Sequence, residues 1–182
     1  MTAIDDVEPD DLRDEHGYVA FMRQLVSVEY ATLPPSATTW RVAEAVKEGR
    51  VLGHRCPRCS KVYVPPRGYC SLCVVPTGED DEVDVADRGT VTAFTIITPI
   101  QYHGQQETED YAQASVLLDG ANQTIMTRLD GIPTADVHTG MRVRARWKPV
   151  DARGFGFADS IDGWEPTGEA DTPPEAFAEH II

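Results

Sequence analysis

The chain has 182 residues, 41% of them apolar, and a formal net charge of −14. That length suits one ordinary domain or two small ones with a packed core; no apolar run approaches the ~18 residues of a membrane span. The acidic start, MTAIDDVEPDD, is not a secretory signal, so a cytoplasmic protein is expected, and the acidic balance argues against nucleic-acid binding, which rests on a basic footprint.

Residues 1–15 are rich in Asp, Glu and Pro, offer little to bury, and are expected to be disordered. Over residues 17–31 apolar side chains recur at helical intervals (Val19, Met22, Leu25, Val26, Val28), which predicts an amphipathic helix ended by Leu33-Pro34-Pro35. Ser36, Thr38 or Thr39 caps a second helix over 40–48, with Trp40, Ala43 and Val46 on its apolar face and Gly49 just past its end. Neither helix has a core of its own. Each packs on the main domain or on another chain, and Trp40 is expected against the segment that follows.

That segment opens with a strand over 51–55 and its hairpin partner over 62–64. Between and after them stand Cys56-Pro57-Arg58-Cys59 and Cys70-Ser71-Leu72-Cys73, two C-x-x-C motifs ten residues apart that contain every cysteine in the chain. A two-residue gap turns both sulfurs of a pair toward one ion, and four thiolates suit tetrahedral Zn²⁺. We expect one structural zinc per chain on Cys56, Cys59, Cys70 and Cys73. Four cysteines leave no open coordination position, so the metal holds structure and does no chemistry, and the nearby His54 is not counted as a ligand. Residues 50–75 carry five basic side chains (Arg50, Arg55, Arg58, Lys61, Arg67) and no acidic one. This island either meets an anionic ligand or an acidic partner surface, or simply solvates the ribbon and offsets thiolate charge.

Residues 76–82 read as an acidic linker or surface turn. Period two and β-branched enrichment then predict strands over 89–100, 111–118, 123–129, 141–149 and 155–161, with a connector over 130–140. The fold class is therefore mainly β: a rubredoxin-like zinc ribbon, then a five-stranded OB-type barrel, with N-terminal helices. The expected divisions are 1–49 (acidic arm and helices), 50–75 (ribbon), 83–164 (barrel) and 165–182 (acidic tail). On the strand over 141–149 Met141, Val143, Ala145 and Trp147 share one face and Arg142, Arg144, Arg146 and Lys148 the other. That basic row either binds phosphate or is the solvated face of a half-buried strand. The end of the tail (Ala176, Phe177, Ile181, Ile182) either fills a partner's groove or frays.

No residue pattern supports catalysis in this chain. The cysteines are committed to metal, the five histidines are scattered, and no phosphate loop, H-E-x-x-H or G-x-S-x-G occurs. His103, between Tyr102 and Gly104 at a strand end, is the one histidine in a plausible site loop.

From Trp40 to Ile161 the chain resembles the DUF35 family of acyl-CoA-associated OB-fold proteins. The resemblance is carried by "EGR-V-L", "CPRC", "VYVPPRGYCSLC", an acidic turn, "GTVTAFTII", "VLLDG" and "TGMRVRARW". Residues 1–36 and the last 18 or so lie outside it. It implies a non-catalytic subunit, inactive alone, that hetero-oligomerises with a thiolase-fold, lipid-transfer-protein-type enzyme and helps form its CoA-ester site. Retro-aldol cleavage of a steroid-type side-chain CoA thioester is favoured over thiolase chemistry, with acyl-CoA as a ligand shared with the partner. Arg58, Lys61, Arg67, Tyr102 and His103 would then face the CoA or the partner. A free-standing acyl-CoA carrier or sensor is the alternative, and a nucleic-acid-binding OB module is a weaker one.

Overall fold

The structure is a computed structural model that describes residues 15–17, 35–99 and 108–180. The acidic start, the helix expected over 17–31, the end of the strand expected over 89–100, Tyr102, His103, Ile181 and Ile182 lie outside the described residues, Gly17 and residue 15 apart. Residues 35–182 form one compact unit.

Helix α1 (Ala37–Glu48) begins where Ser36 Oγ accepts the Thr39 N–H at 3.1 Å and ends at Gly49, whose φ of 81° is the left-handed turn that glycine adopts without strain. Its buried residues are Ala43, Ala45 and Val46, and it packs against β1 (Val51–Arg55). Trp40 does not join that face. It is 51% exposed and lies edge-on to Phe155, ring centroids 5.6 Å apart, so the expected contact with the ribbon gives way to one with the loop before the last barrel strand.

β1 pairs antiparallel with β2 (Val62–Tyr63) on one side and β3 (Glu82–Val85) on the other. The acidic stretch read as a linker is thus a short 3-10 turn, Glu79–Asp81, leading into a third strand of the same sheet. Gly53 lies between the flanking strands, where a Cβ would come within 3.0 Å of the Val62 and Val85 side chains.

A closed barrel follows in the order β4-β5-β6-β8-β7, built from β4 (Arg88–Ile97), β5 (Tyr111–Leu118), β6 (Thr124–Leu129), β7 (Arg142–Trp147) and β8 (Ile161–Pro166). β5 alternates strictly, burying Ala112, Ala114, Val116 and Leu118. On β7 Val143 and Ala145 face in, as the alternation predicts. The last strand differs from expectation. Residues Phe157–Ser160 form one turn of helix α2, and the strand runs over Ile161–Pro166, centred on the buried Trp164. The apolar spacing of Phe155 and Phe157 imitates a strand, but Phe157 reaches the core from a helical turn.

Ribbon and barrel share one core. Val51, Val62, Val64 and Val85 cluster with Val91, Val116, Leu118, Val143 and Trp164. Val62 N–H donates to Asn122 Oδ1 at 2.9 Å and Asn122 N–H donates to Val62 O at 2.8 Å, tying the ribbon hairpin to the β5–β6 turn.

The acidic tail is fastened to the barrel through residue 180. Thr172 N–H donates to Gly140 O at 2.8 Å, Thr90 and Thr172 hydroxyls meet at 2.8 Å, and Phe177 is buried in its own chain. The partner-groove reading of Phe177 is therefore corrected. His138 donates from Nδ1 to Asp136 O (2.8 Å) and from Nε2 to the Asp171 carboxylate (2.9 Å), an arrangement that needs the imidazolium. The Asp136 carbonyl, then the Asp171 carboxylate, hold its pKa above the ordinary value. A raised folded pKa gives stability that is full below the unfolded value, about 6.5, and is lost as pH rises through the higher folded value. Melting temperature is expected to fall slightly across that window, and His138→Gln to flatten the slope, in thermal scans from pH 5.5 to 8.5. The effect is small because the imidazole is half exposed.

Candidate metal centre

The four cysteines come together from two knuckles with the same backbone. In the first, Ser60 N–H donates to Cys56 O and Cys56 N–H to Lys61 O; in the second, Val74 N–H donates to Cys70 O and Cys70 N–H to Val75 O, all at 2.9 Å. N–H groups of Arg58 and Cys59 point at Cys56 Sγ, and that of Cys73 at Cys70 Sγ, each at 3.4 Å. Ser60 and Val74 close their knuckles in the left-handed region, at φ 60° and 52°.

All four sulfurs lie within 4.8 Å of one another, with Cys56 and Cys70 buried. A tetrahedron of Zn–S bonds about 2.3 Å long places its sulfurs about 3.8 Å apart, and Cys59 Sγ and Cys70 Sγ are 3.8 Å apart. The donor chemistry fits as well. Burial pushes the Cys70 thiol up, but the Tyr63 hydroxyl, the Cys73 and Leu72 N–H groups and the Cys56 thiol outweigh it and bring Cys70 to about 6. The Cys59 thiol, then burial, pushes Cys73 up to about 12. Four sulfurs this close cannot all lose their protons without a cation among them, and Zn²⁺ would supply that charge.

Tyr63 is a contributor that sequence reasoning missed. It is 7% exposed, and its hydroxyl meets Cys70 Sγ at 3.2 Å. The hydrogen bond to that sulfur, then burial, raises the phenol pKa. Its place in "VYVPP", between the knuckles, was the available signal. His54 stays out of the sulfur cluster. It is buried, with Nδ1 2.8 Å from Thr77 Oγ1 and Nε2 3.6 Å from Glu82 Oε1.

The cations divide into two sets. On β7 Arg142 forks onto Asp119 (2.8 and 2.5 Å), Arg144 reaches Glu165 (2.8 Å) and Arg146 reaches Asp162 (3.3 Å). The row is neutralised by carboxylates of its own chain, which removes the phosphate-binding reading for these three arginines. In the ribbon Arg50 pairs with Glu48 and Asp84. Arg55, Arg58, Lys61 and Arg67 meet no carboxylate among the described residues. Tyr102 and His103 lie outside those residues, so the structure places neither beside these cations. An apolar cleft of about 390 Å³, absent from the sequence reading, opens where β6 and β8 are joined at the single pair Leu129–Trp164; Ile125, Met126, Phe157 and Ile161 line it.

A family model for the rubredoxin-like zinc ribbon domain of ChsH2 matches residues 43–75, and one for the C-terminal OB-fold domain of ChsH2 matches residues 82–148. The chain belongs to the ChsH2 family. The two ChsH2 matches together span more than half of it, in the order ribbon then barrel. Among solved structures, the Ltp2-ChsH2(DUF35) aldolase aligns with a TM-score of 0.52 and 22% identity, over 75% of this chain and 98% of its own. A DUF35-family protein of unknown function from Sulfolobus solfataricus aligns with a TM-score of 0.51 and 17% identity, over 71% and 84%. Both likenesses are of fold. No curated protein matches the chain. No described helix is long and apolar enough to cross a membrane.

Two substitutions separate holding the metal from tuning it. Cys59→Ser is expected to abolish stoichiometric zinc, read by elemental analysis, and to melt the ribbon. Tyr63→Phe should keep one zinc but weaken it by about 10- to 100-fold, as loss of a hydrogen bond behind a ligand does, measured by competition with a chromogenic chelator.

Proposed function

We propose that this chain is the non-catalytic zinc-ribbon and OB-fold subunit of an aldolase complex. Its partner is a thiolase-fold, lipid-transfer-protein-type enzyme, the reaction is retro-aldol cleavage of a steroid-type side-chain CoA thioester, and the setting is the cytoplasm. The observation that carries this reading is the pair of ChsH2 domain matches in one chain, in the order ribbon then barrel. The solved relative described as an Ltp2-ChsH2(DUF35) aldolase supports the reaction class and the hetero-oligomer.

The side chains agree with a division of labour. Retro-aldol cleavage of a β-hydroxy thioester needs a base to take the hydroxyl proton as that carbon becomes the ketone, and a hydrogen-bond donor for the enolate left on the thioester. Among the described residues the four thiols face one another, His54 is buried and the ring of His138 is held by Asp136 and Asp171. Cys56, Cys59, Cys70 and Cys73 would hold one structural Zn²⁺, which fixes the knuckles and supplies no reactive position. Arg58, Lys61 and Arg67, which meet no carboxylate among the described residues, would meet the phosphates of acyl-CoA or acidic groups of the partner. Tyr102 and His103 are proposed to meet the CoA or the partner as well. The apolar cleft between β6 and β8 offers room for part of an acyl group. The divisions at 1–49, 50–75, 83–164 and 165–182 are proposed as the working units.

The test is co-expression with a thiolase-fold candidate. The isolated chain should show no turnover of a β-hydroxyacyl-CoA carrying a steroid side chain, and the purified complex should release the ketone. Turnover by the isolated chain would sink the accessory reading. A free-standing acyl-CoA carrier or sensor predicts instead micromolar CoA-ester binding by the chain alone, measured by calorimetry.

A further inference from the structure

The two knuckles are one structure carrying two opposite surfaces. Arg58 of the first corresponds to Leu72 of the second, and Ser60 to Val74, with matching hydrogen bonds and matching positive φ angles. The first knuckle shows solvent a cation and a hydroxyl. The second shows Leu72, 68% exposed, and Val74, 81% exposed, with Tyr69 at its base 52% exposed.

Val74 is the telling residue. Its φ of 52° is one that β-branched side chains resist and that glycine or asparagine adopts with far less strain. Nor does the valine serve the ribbon's interior, whose apolar cluster is made of the four cysteines, Tyr63 and Val75. A strained side chain that its own fold does not use points to a use outside the fold.

We propose that Tyr69, Leu72 and Val74 form the contact through which the ribbon seats on the partner subunit, a protein surface apolar at its centre and bordered by carboxylates. The border follows from charge. Arg67 precedes Tyr69 by two residues, and Arg58 stands on the knuckle whose sulfurs meet those of the second. Both are exposed, meet no carboxylate among the described residues, and belong to a segment, 50–75, without an acidic residue. An anionic lipid surface also combines apolar and negative character, but a chain of net charge −14 is repelled by it. The existence of the partner rests on the function proposed above; the location of the contact rests on the knuckle.

The experiment uses the full-length chain, its Val74→Asn and Leu72→Ser variants, and a purified Ltp2-type subunit. Zinc content and melting temperature are measured beside affinity. Val74→Asn should keep one zinc and melt at the same temperature as the parent or higher, because strain is relieved. Yet it should bind the partner more weakly, by about tenfold for a central apolar anchor, and Leu72→Ser should weaken binding similarly. Parent and both variants binding within twofold of one another would overturn the docking surface while leaving the accessory reading intact. A parent that fails to bind would overturn the accessory reading, and this contact with it. Sedimentation of the parent with phosphatidylserine vesicles, lost in Val74→Asn, would replace the protein partner with a membrane. A parent dimer in gel filtration that the variants dissociate would replace it with a second copy of the chain.

Discussion

Four thiols within 4.8 Å of one another set the condition on which the rest of the molecule depends. Their mutual repulsion as thiolates exceeds what the surrounding N–H groups and the Tyr63 hydroxyl offset, so the cluster needs a cation to close. What the closed cluster holds is more than a loop. Val62 and Val64 lie between the first knuckle and the second, and both enter the core that the barrel strands build. The reciprocal hydrogen bonds between Val62 and Asn122 fix the same hairpin to the β5–β6 turn. Opening the knuckles would release the two ends of the segment that supplies these valines, so metal retention and barrel packing are coupled through a few residues.

Charge is organised by the same boundary. The arginines of β7 are matched by carboxylates of their own chain, Arg144 by Glu165 and Arg146 by Asp162 on the neighbouring β8 and Arg142 by Asp119, and the tail adds Glu169 to the Arg142–Asp119 pair. These half-exposed pairs stabilise modestly, and their main effect is to keep the barrel wall from presenting bare positive charge. The ribbon differs: Arg50 is paired, but Arg55, Arg58, Lys61 and Arg67 meet no carboxylate among the described residues. A surface with unmatched charge of one sign steers partners of the other sign. On the proposed reading, the surface that steers the partner is the part of the chain whose shape a bound zinc would fix.

Much of this was legible in the sequence because the signals were local. C-x-x-C spacing reports a knuckle directly, and the alternation of 111–118 and 141–149 reports strands buried on one face. The misreadings arose where a long-range contact overrides a local pattern. The acidic stretch before Val83 has loop composition, yet Glu82 joins a strand because its carboxylate meets Arg41 on α1 and its backbone pairs with His54. The last barrel strand was placed too early because Phe155 and Phe157 carry a period-two spacing. The strand that fills the seam is flanked by acidic residues and marked by one tryptophan, Trp164. Trp40 looked like core on helical spacing, but the face of α1 that meets β1 uses Ala43, Ala45 and Val46, and small residues there let helix and sheet approach closely. Nothing local announces that Phe177, near the end of an acidic tail, is buried.

A ribbon of this kind contributes rigidity rather than reactivity. Docking through a flexible loop loses side-chain and backbone freedom on binding, and that loss subtracts from affinity. In a metal-held knuckle the backbone is already fixed by sulfur ligation and by its hydrogen bonds, so an apolar contact made there carries little further ordering cost. The strain at Val74 is tolerable for the same reason: the positive φ is imposed by the ring of hydrogen bonds around Cys70, which Val74 itself closes through its N–H to the Cys70 carbonyl. The residue type is then free to be chosen for what it presents. A bound zinc would let an unfavourable side chain stay in place, and the exposed face of that side chain, beside cations that meet no carboxylate among the described residues, is what the proposed contact would offer to another protein.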